Sequence, residues 1–414
     1  MKWRPAQAVI LAGGRGTRLS PLTDTRPKPM IEFHSKPFLE YLIELFCDRG
    51  VRRVLLLLGY LPEVIQDYFG DGRRWGLHIE YSVTPVEDET GTRLRRAASR
   101  LDPVFLLAYA DNYWPLPFEE MWNRFSASDV ESQVTIYANR DGYTKDNVSV
   151  DPEGFVTVYD KGRSLPGLKG VEIGFTFLRR EVLNLLPEGN VSFEKTVFPA
   201  LASRRQMKAF WTEHRYYSVG DFARLGITEE FLARRPTLLV DRDGVLNRKA
   251  PRGEYVRTPG EFEWLPGSLE ALRLLRDAGY RVIVISNQAG IARGFMTERD
   301  LEKVHERMHR DTERAGGKIE AVYTCPHGWD EGCECRKPRP GLLLRAQREF
   351  HLDLTRTVFV GDDKRDVEAG RAAGCPTFLV SPETSLNAYV RRHIDSGEIQ
   401  IKQAKVRTLW NASL

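Results

Sequence analysis

The run Thr237-Leu-Leu-Val240 passes without a polar break into Asp241-Arg-Asp-Gly244, and no other junction constrains the chain as strongly. A short apolar run closed by turn residues is what a strand buried on both faces of a parallel sheet requires. A second such junction, Ala8-Val-Ile-Leu-Ala12 leading into a glycine-rich turn, lies near the N-terminus. In the first half, apolar strands over 53–58, 104–108 and 133–137 alternate with helical patterns over 37–49, 62–69 and 118–125. In the second, strands over 281–285, 321–323, 357–360 and 377–380 alternate with helices over 268–278, 298–314, 341–350 and 366–373. This alternation predicts an α/β fold of two domains, each a mostly parallel sheet flanked by helices. A short helix over 228–235 followed by Pro236 sets the boundary, giving domains 1–234 and 235–382 and a moderately polar tail 383–414. The tail is expected to hold a short helix around 388–394 and has no assigned role. Ligands of such sheets bind beyond the carboxyl ends of the strands.

Composition narrows the class. The 414 residues correspond to roughly 2.8 domains at about 150 residues each, and 42% hydrophobic with 29% charged residues is ordinary globular usage. A net charge of +4 gives no reason to expect nucleic acid or a membrane as the main partner. Apolar stretches such as Val54–Leu58 fall far short of a membrane span, and Met1-Lys-Trp-Arg-Pro shows no leader architecture. Five cysteines are too few for a disulfide scaffold, and three of them crowd between Cys325 and Cys335, which points to metal more than to oxidation. The expected setting is cytoplasmic.

Asp241 and Asp243, at i and i+2 past a buried strand, can face one crevice, with Gly244 permitting the sharp turn. Two acids this close repel unless a cation lies between them, and oxygen ligands favour magnesium. A second strand ends in Ser286-Asn287-Gln288, Lys337 stands in Cys-Arg-Lys-Pro, and a third strand ends in Gly361-Asp362-Asp363, with Asp366 further on. Each piece alone is weak, because a strand-end acid pair is often only a solvated turn. In this order they resemble the haloacid-dehalogenase-type phosphohydrolases. The resemblance implies Asp241 as the nucleophile that forms an aspartyl-phosphate and Asp243 as general acid and base. It implies Ser286 and Lys337 holding the phosphoryl group, and magnesium held by Asp241, Asp243 (through its carbonyl) and Asp362. Asp363 sits where relatives often carry lysine.

Cys325-Pro-His327 and Cys333-Glu-Cys335 supply three thiolates and an imidazole within one polar loop, a complete tetrahedral zinc set with no open position. Its expected task is to pin the loop that carries Arg336 and Lys337. Within the superfamily this loop is similar to those of histidinol-phosphate phosphatases and of D-glycero-D-manno-heptose 1,7-bisphosphate 7-phosphatases. The stretches Phe262-Glu-Trp-Leu-Pro-Gly267 and Ser286-Asn-Gln-Ala-Gly-Ile-Ala-Arg-Gly294 resemble the heptose enzymes more, over about 237–380. Asn287, Arg293 and Arg336 are the expected substrate contacts, the two guanidinium forks suiting the other phosphate.

In the first half, Leu11-Ala-Gly13-Gly14-Arg15-Gly16-Thr17-Arg18-Leu19 lacks both the Walker ending and the dinucleotide spacing. Its glycines let backbone N–H groups approach phosphates. With Pro27-Lys28-Pro29-Met30 it resembles the sugar-1-phosphate nucleotidylyltransferases, especially the mannose and heptose guanylyltransferases, and the likeness runs through most of 5–225. The resemblance implies Lys28 and Arg18 as catalytic cations and Asp111 as a magnesium ligand. It makes Gly91, Thr92 and Glu87 base contacts, and Lys161, Glu172 and Glu194 sugar-side contacts. Relatives place a second metal-binding Asp where this chain has Ser218, with Asp221 three residues away. They also carry small residues where this chain has Thr90-Gly-Thr-Arg93-Leu-Arg-Arg96.

The two resemblances together imply one enzyme with two activities: removal of the 7-phosphate from a heptose 1,7-bisphosphate, then nucleotidylyl transfer to heptose 1-phosphate. GTP is the favoured nucleotide, lipopolysaccharide sugars are the implied destination, and a homo-oligomer is compatible. Two alternatives stay open, a phosphatase fused to a catalytically silent binding module, and a histidinol-phosphate phosphatase. His305 and His309, at i and i+4 of a charged helix, have a spacing that can bind metal, but are expected to be solvated positions.

Overall fold

The computed structural model describes residues 5–381 and 383–400. The chain parts into two compact units, Met1–Ala233 and Arg234–Leu414. The N-terminal residues 1–4 and the tail beyond 400, on which the leader and tail expectations partly rest, lie outside the described residues.

The first unit is built on a seven-stranded sheet of β1 (Gln7–Ala12), β2 (Arg53–Leu58), β3 (His78–Val83), β4 (Val104–Tyr109), β5 (Ser132–Tyr137), β6 (Val171–Arg179) and β7 (Met207–Thr212). The order is β7-β5-β6-β4-β1-β2-β3, and only β6 runs against its neighbours. Successive residues of β1 feed opposite cores: Ala8, Ile10 and Ala12 pack on one face with Val54, Leu56 and Leu58, while Val9 and Leu11 pack on the other with Leu55 and Leu57. Burial on both faces is why these strands are uninterrupted apolar runs, each large side chain contributing about 2 kcal/mol. The helices are α1 (Phe38–Asp48), α2 (Pro62–Phe69), α3 (Thr90–Arg96), α4 (Phe118–Ser126), α5 (Phe193–Ser203) and α6 (Phe222–Leu232). The helix expected over 228–235 is α6, which begins earlier because the Asp221 side chain caps the Arg224 N–H. It ends at Leu232, before Arg234 takes a left-handed conformation (φ 46°) and Pro236 follows.

The second unit has five parallel strands, β8 (Thr237–Val240), β9 (Arg281–Asn287), β10 (Ala321–Cys325), β11 (Val358–Gly361) and β12 (Thr377–Leu379), in the order β10-β9-β8-β11-β12. Helices α7 (Ser268–Asp277), α8 (Glu298–Arg314), α9 (Gly341–Phe350) and α10 (Lys364–Ala373) follow the expected pattern. A further helix, α11 (Leu386–Asp395), falls in the segment read as a tail. Its Leu386, Tyr389 and Val390 are buried in the core that holds Leu272 and Leu275 of α7, so this part of the chain belongs to the unit. Among the described residues no helix is long and apolar enough to cross a membrane.

Candidate active sites

In the second unit the ends of β8, β9 and β11 are neighbours, and the polar residues that follow them converge. Lys337 is 2% exposed; its Nζ lies 2.9 Å from Asp241 and 2.7 Å from Asp366 and donates to the Ile285 carbonyl at 3.0 Å. Asn287 locks it from outside: the Asn287 amide donates to the Lys337 carbonyl and accepts from the Lys337 N–H, each at 3.1 Å. Asn287, expected to touch substrate, has both ends of its amide engaged in this way and therefore positions the lysine. Burial pushes the Asp241 carboxyl up to about 7, against the pull of Lys337 and with Asp366 and Asp243 adding to the rise.

Carboxylate oxygens of Asp241, Asp362 and Asp366 all lie within 4.8 Å of one another. Asp362 Oδ1 is buried without a hydrogen-bond partner, and Lys249 Nζ sits 2.7 Å from Asp362 Oδ2. An all-oxygen set with an orphaned acceptor fits a hard divalent cation such as magnesium. The Asp243 carboxylate is not part of this set. Arg242 Nη2 grips both Asp243 oxygens at 3.0 and 2.9 Å, and Asn247 and Gln288 each donate at 2.9 Å. Burial alone would raise Asp243, but Arg242 and these amides hold it below the usual carboxylate range.

Asp366 and His305 take places that the sequence reading did not give them. Asp366 caps the start of α10 as the partner of Asp363 in a capping box and accepts the Asp362 and Asp363 N–H groups at 3.0 Å. The Asp363-x-x-Asp366 spacing was the available signal. His305 is not a solvated position: its Nε2 meets the fully buried Arg242 at 3.3 Å, and burial together with that guanidinium pushes it down to about 3. Ser286 is buried at the end of β9 and accepts from Gln288 Nε2 at 2.8 Å.

The four metal-type side chains of the cysteine loop come together. Cys335 Sγ lies 3.3 Å from Cys325 Sγ, 3.6 Å from Cys333 Sγ and 3.2 Å from His327 Nδ1, and Cys325 Sγ to Cys333 Sγ is 3.7 Å. A tetrahedron with metal–sulfur bonds of about 2.3 Å has sulfur–sulfur edges of about 3.7 Å, so the set fits zinc. Arg336 donates to the His327 carbonyl at 3.2 Å. Arg293 bonds Tyr255 Oη at 3.0 Å and lies over the Tyr255, Phe295 and Trp329 rings. Both arginines line a cavity of about 1100 Å³ that also contains Asp241, Asp243 and Lys337.

In the first unit a smaller cavity of about 370 Å³ lies past the ends of β1 and β4, lined among others by Gly13, Gly14, Gly16, Lys28, Glu87 and Asp111. Lys28 Nζ is paired with Asp111. Burial works against the Asp111 charge, yet Lys28 and Lys161 hold its carboxyl below the usual range. Arg15, Thr17 and Arg18 stand exposed and outside this lining, because the short turn Thr17–Leu19 anchors on buried Leu19 and sends its polar side chains outward. Gly91 and Thr92 are likewise turned away from the cavity. Both their N–H groups reach the Val191 carbonyl, at 2.9 and 3.2 Å, which fastens α3 to the 189–191 segment. Asp221 caps α6 and pairs with Arg224 at 3.7 Å, so it does not supply the missing second acid. Ser218 stands beside Asn112, with Arg224 Nη1 at 3.4 Å from its hydroxyl. Among the described residues no acid cluster forms around Asp111.

Lys161, Glu172 and Glu194 do assemble. Lys161 Nζ is 3.8 Å from Glu194, whose other oxygen accepts from Thr90 Oγ1 at 2.5 Å. Burial drives Glu172 up to about 7 despite Lys161. Its folded value lies above its unfolded one, so stability falls as pH rises from about 4.5 through 7, by at most about 3 kcal/mol. Glu172→Gln should therefore melt with the native protein at pH 4 and roughly 5–10 °C above it at pH 8.5, read by calorimetry at the two pH values.

Family models match residues 7–147 as nucleotidyl transferase and 334–399 as HAD-hydrolase-like. The chain is 41% identical over 143 residues to the D-glycero-beta-D-manno-heptose-1,7-bisphosphate 7-phosphatase of Bordetella bronchiseptica, covering 34% of this chain and 79% of that protein. It is 38% identical over 163 residues to the D-glycero-alpha-D-manno-heptose-1,7-bisphosphate 7-phosphatase of Campylobacter jejuni, covering 39% and 92%. Among solved structures, HddC from Yersinia pseudotuberculosis matches 55% of this chain and 100% of its own at 25% identity and a TM-score of 0.47. Behind a nucleotidyl transferase domain, the chain belongs to the heptose 1,7-bisphosphate 7-phosphatase family of haloacid-dehalogenase-type hydrolases.

Proposed function

We propose that the protein makes a nucleotide-activated heptose by two reactions: hydrolysis of the 7-phosphate of a D-glycero-D-manno-heptose 1,7-bisphosphate, and nucleotidylyl transfer to the resulting heptose 1-phosphate. The observation that carries the first is Asp241, buried at a strand end with Lys337 on one side and the Asp362–Asp366 oxygens on the other. Asp241 attacks phosphorus and the O7–phosphorus bond breaks, leaving an aspartyl-phosphate. The leaving oxygen takes a proton from Asp243. Asp243 then takes one from the water that hydrolyses the ester. Lys337 and Ser286 balance and position the phosphoryl oxygens, and Arg293 and Arg336 reach the distal phosphate. Magnesium, held by Asp241, Asp362 and the Asp243 carbonyl, would supply charge neutralisation at the phosphoryl group, and Asp366 stands within reach of the same set. Zinc on Cys325, His327, Cys333 and Cys335 would be structural.

In the first unit the phosphate oxygen of heptose 1-phosphate attacks the α-phosphorus of a nucleoside triphosphate, GTP by preference, and pyrophosphate leaves. Lys28 and the N–H groups of Gly13, Gly14 and Gly16 face the nucleotide phosphates, and Lys161, Glu172 and Glu194 face the sugar. A nucleotide substrate and thiolate-held zinc suit a cytoplasmic enzyme.

The test offers heptose 1,7-bisphosphate, magnesium and GTP to the full chain and follows phosphorus species by ³¹P NMR. Heptose 1-phosphate and inorganic phosphate should appear first, then pyrophosphate with a GDP-linked sugar. Higher kcat/KM for histidinol phosphate would overturn the phosphatase reading. Absence of pyrophosphate with any nucleoside triphosphate would overturn the transferase reading and favour a binding module.

A further inference from the structure

Arg93 lies midway along α3, is 4% exposed, and points toward the strand ends of the sheet. Its Nη1 donates to the Leu58 carbonyl and to Thr84 Oγ1, each at 2.6 Å. Its Nη2 donates to the carbonyls of Pro85 at 3.0 Å, Val86 at 3.1 Å and Gly13 at 3.4 Å. The oxygens come from the ends of three adjacent parallel strands, β1, β2 and β3, where ligands of such sheets bind. Among the described residues no carboxylate is in ion-pair contact with this guanidinium: its direct partners are neutral oxygens, and Glu87, Asp88 and Glu89 act on its charge only from further off. That is a costly arrangement unless the slot itself demands donors.

The slot is flat. A β-carbon on Gly13 or on Gly59 would overlap the guanidinium, so two glycines leave room for a planar group and nothing thicker. It also adjoins the cavity that holds the glycine loop, Lys28 and Asp111, and Arg93 is part of that cavity's lining. A narrow planar slot ringed by carbonyl oxygens, next to a phosphate-type loop, suits the donor edge of a nucleobase. Guanine carries a guanidine unit in its ring, and its N1–H and 2-amino group present the donors that Arg93 presents here.

We propose that Arg93 is an internal occupant of the base subsite: it closes the slot in the free protein, and a guanine nucleotide enters only when the side chain swings out. This rests on the nucleotidylyl-transfer reading for what the slot serves, and adds a gate to it. The gate makes nucleotide binding weaker than the vacated slot allows, because displacing the guanidinium subtracts from the gain of binding.

Binding of GTP, ATP and UTP to the full chain with magnesium is measured by calorimetry for the native protein, Arg93→Ala and Arg93→Met, the last keeping part of the stem without the donors. Both variants should bind GTP at least 10-fold more tightly than the native chain, with a smaller gain for UTP. Unchanged or weaker GTP binding by a variant whose first unit still melts cooperatively overturns the gate. If neither variant folds, mass-spectrometric mapping of phenylglyoxal adducts on the native chain decides. Arg93 should be protected alone and modified under saturating GTP, and protection in both states overturns the proposal. A variant that binds GTP tightly but releases no pyrophosphate keeps the gate and removes the transferase reading. A native chain that forms pyrophosphate while Arg93 stays protected does the reverse.

Discussion

Asp241→Asn should lower phosphate release from a heptose bisphosphate by on the order of 10³-fold or more, with zinc content and melting temperature unchanged. The carboxamide is nearly isosteric but cannot be esterified by phosphorus. Structure survives the change because Lys337 keeps its contacts at 2.7 Å to Asp366 and 3.0 Å to the Ile285 carbonyl. Burial disfavours the Asp241 charge in the free site, so its neutral replacement adds no new unpaired ion. Coupled phosphate detection checks the rate and metal analysis checks the zinc. Turnover within 10-fold of the native enzyme would remove Asp241 as the nucleophile.

Removing zinc should be nearly as damaging, though for a mechanical reason. Lys337 follows Cys335 by two residues, and its Nζ must reach Asp241 at 2.9 Å through a polar loop with little apolar burial of its own. Apparent binding energies of structural zinc sites, about 10–16 kcal/mol, rival the whole stability of a domain, about 5–15 kcal/mol. A strong chelator, or Cys335→Ser, should release about one zinc per chain and reduce phosphatase activity by roughly 100-fold. It should also speed hydrogen exchange across 325–340, while heat and nucleotide responses of the first unit stay as they were. Full activity in the zinc-free protein would show that the loop holds itself.

The sequence was most legible where one physical signal dominated. Continuous apolar runs such as Thr237–Val240 and Arg53–Leu58 announced strands buried on both faces. The heptad-like spacing of Leu301, Val304 and Met308 announced α8 to its ends. His78–Val83 was harder, since an edge strand that is half exposed carries polar alternation and no apolar run. The long strand Val171–Arg179 was hidden because Glu172 read as a ligand contact. In the second site the residue types were legible but not which atoms would meet: Asp366 joins Asp241 and Asp362 in the carboxylate group. In the first site the basic run over 93–96 was plain, whereas the inward turn of Arg93 depended on carbonyls from three distant strands. No local pattern encodes such a meeting.

Asp366 has a consequence beyond its chemistry. One carboxylate starts a helix, fixes the backbone of the two preceding acids and steadies the buried lysine. Genetic drift at this position is thus opposed twice over, by the need to fold and by the need to turn over substrate. Descendants of this chain that lose hydrolysis altogether should still retain an acid there, long after Asp241 has wandered.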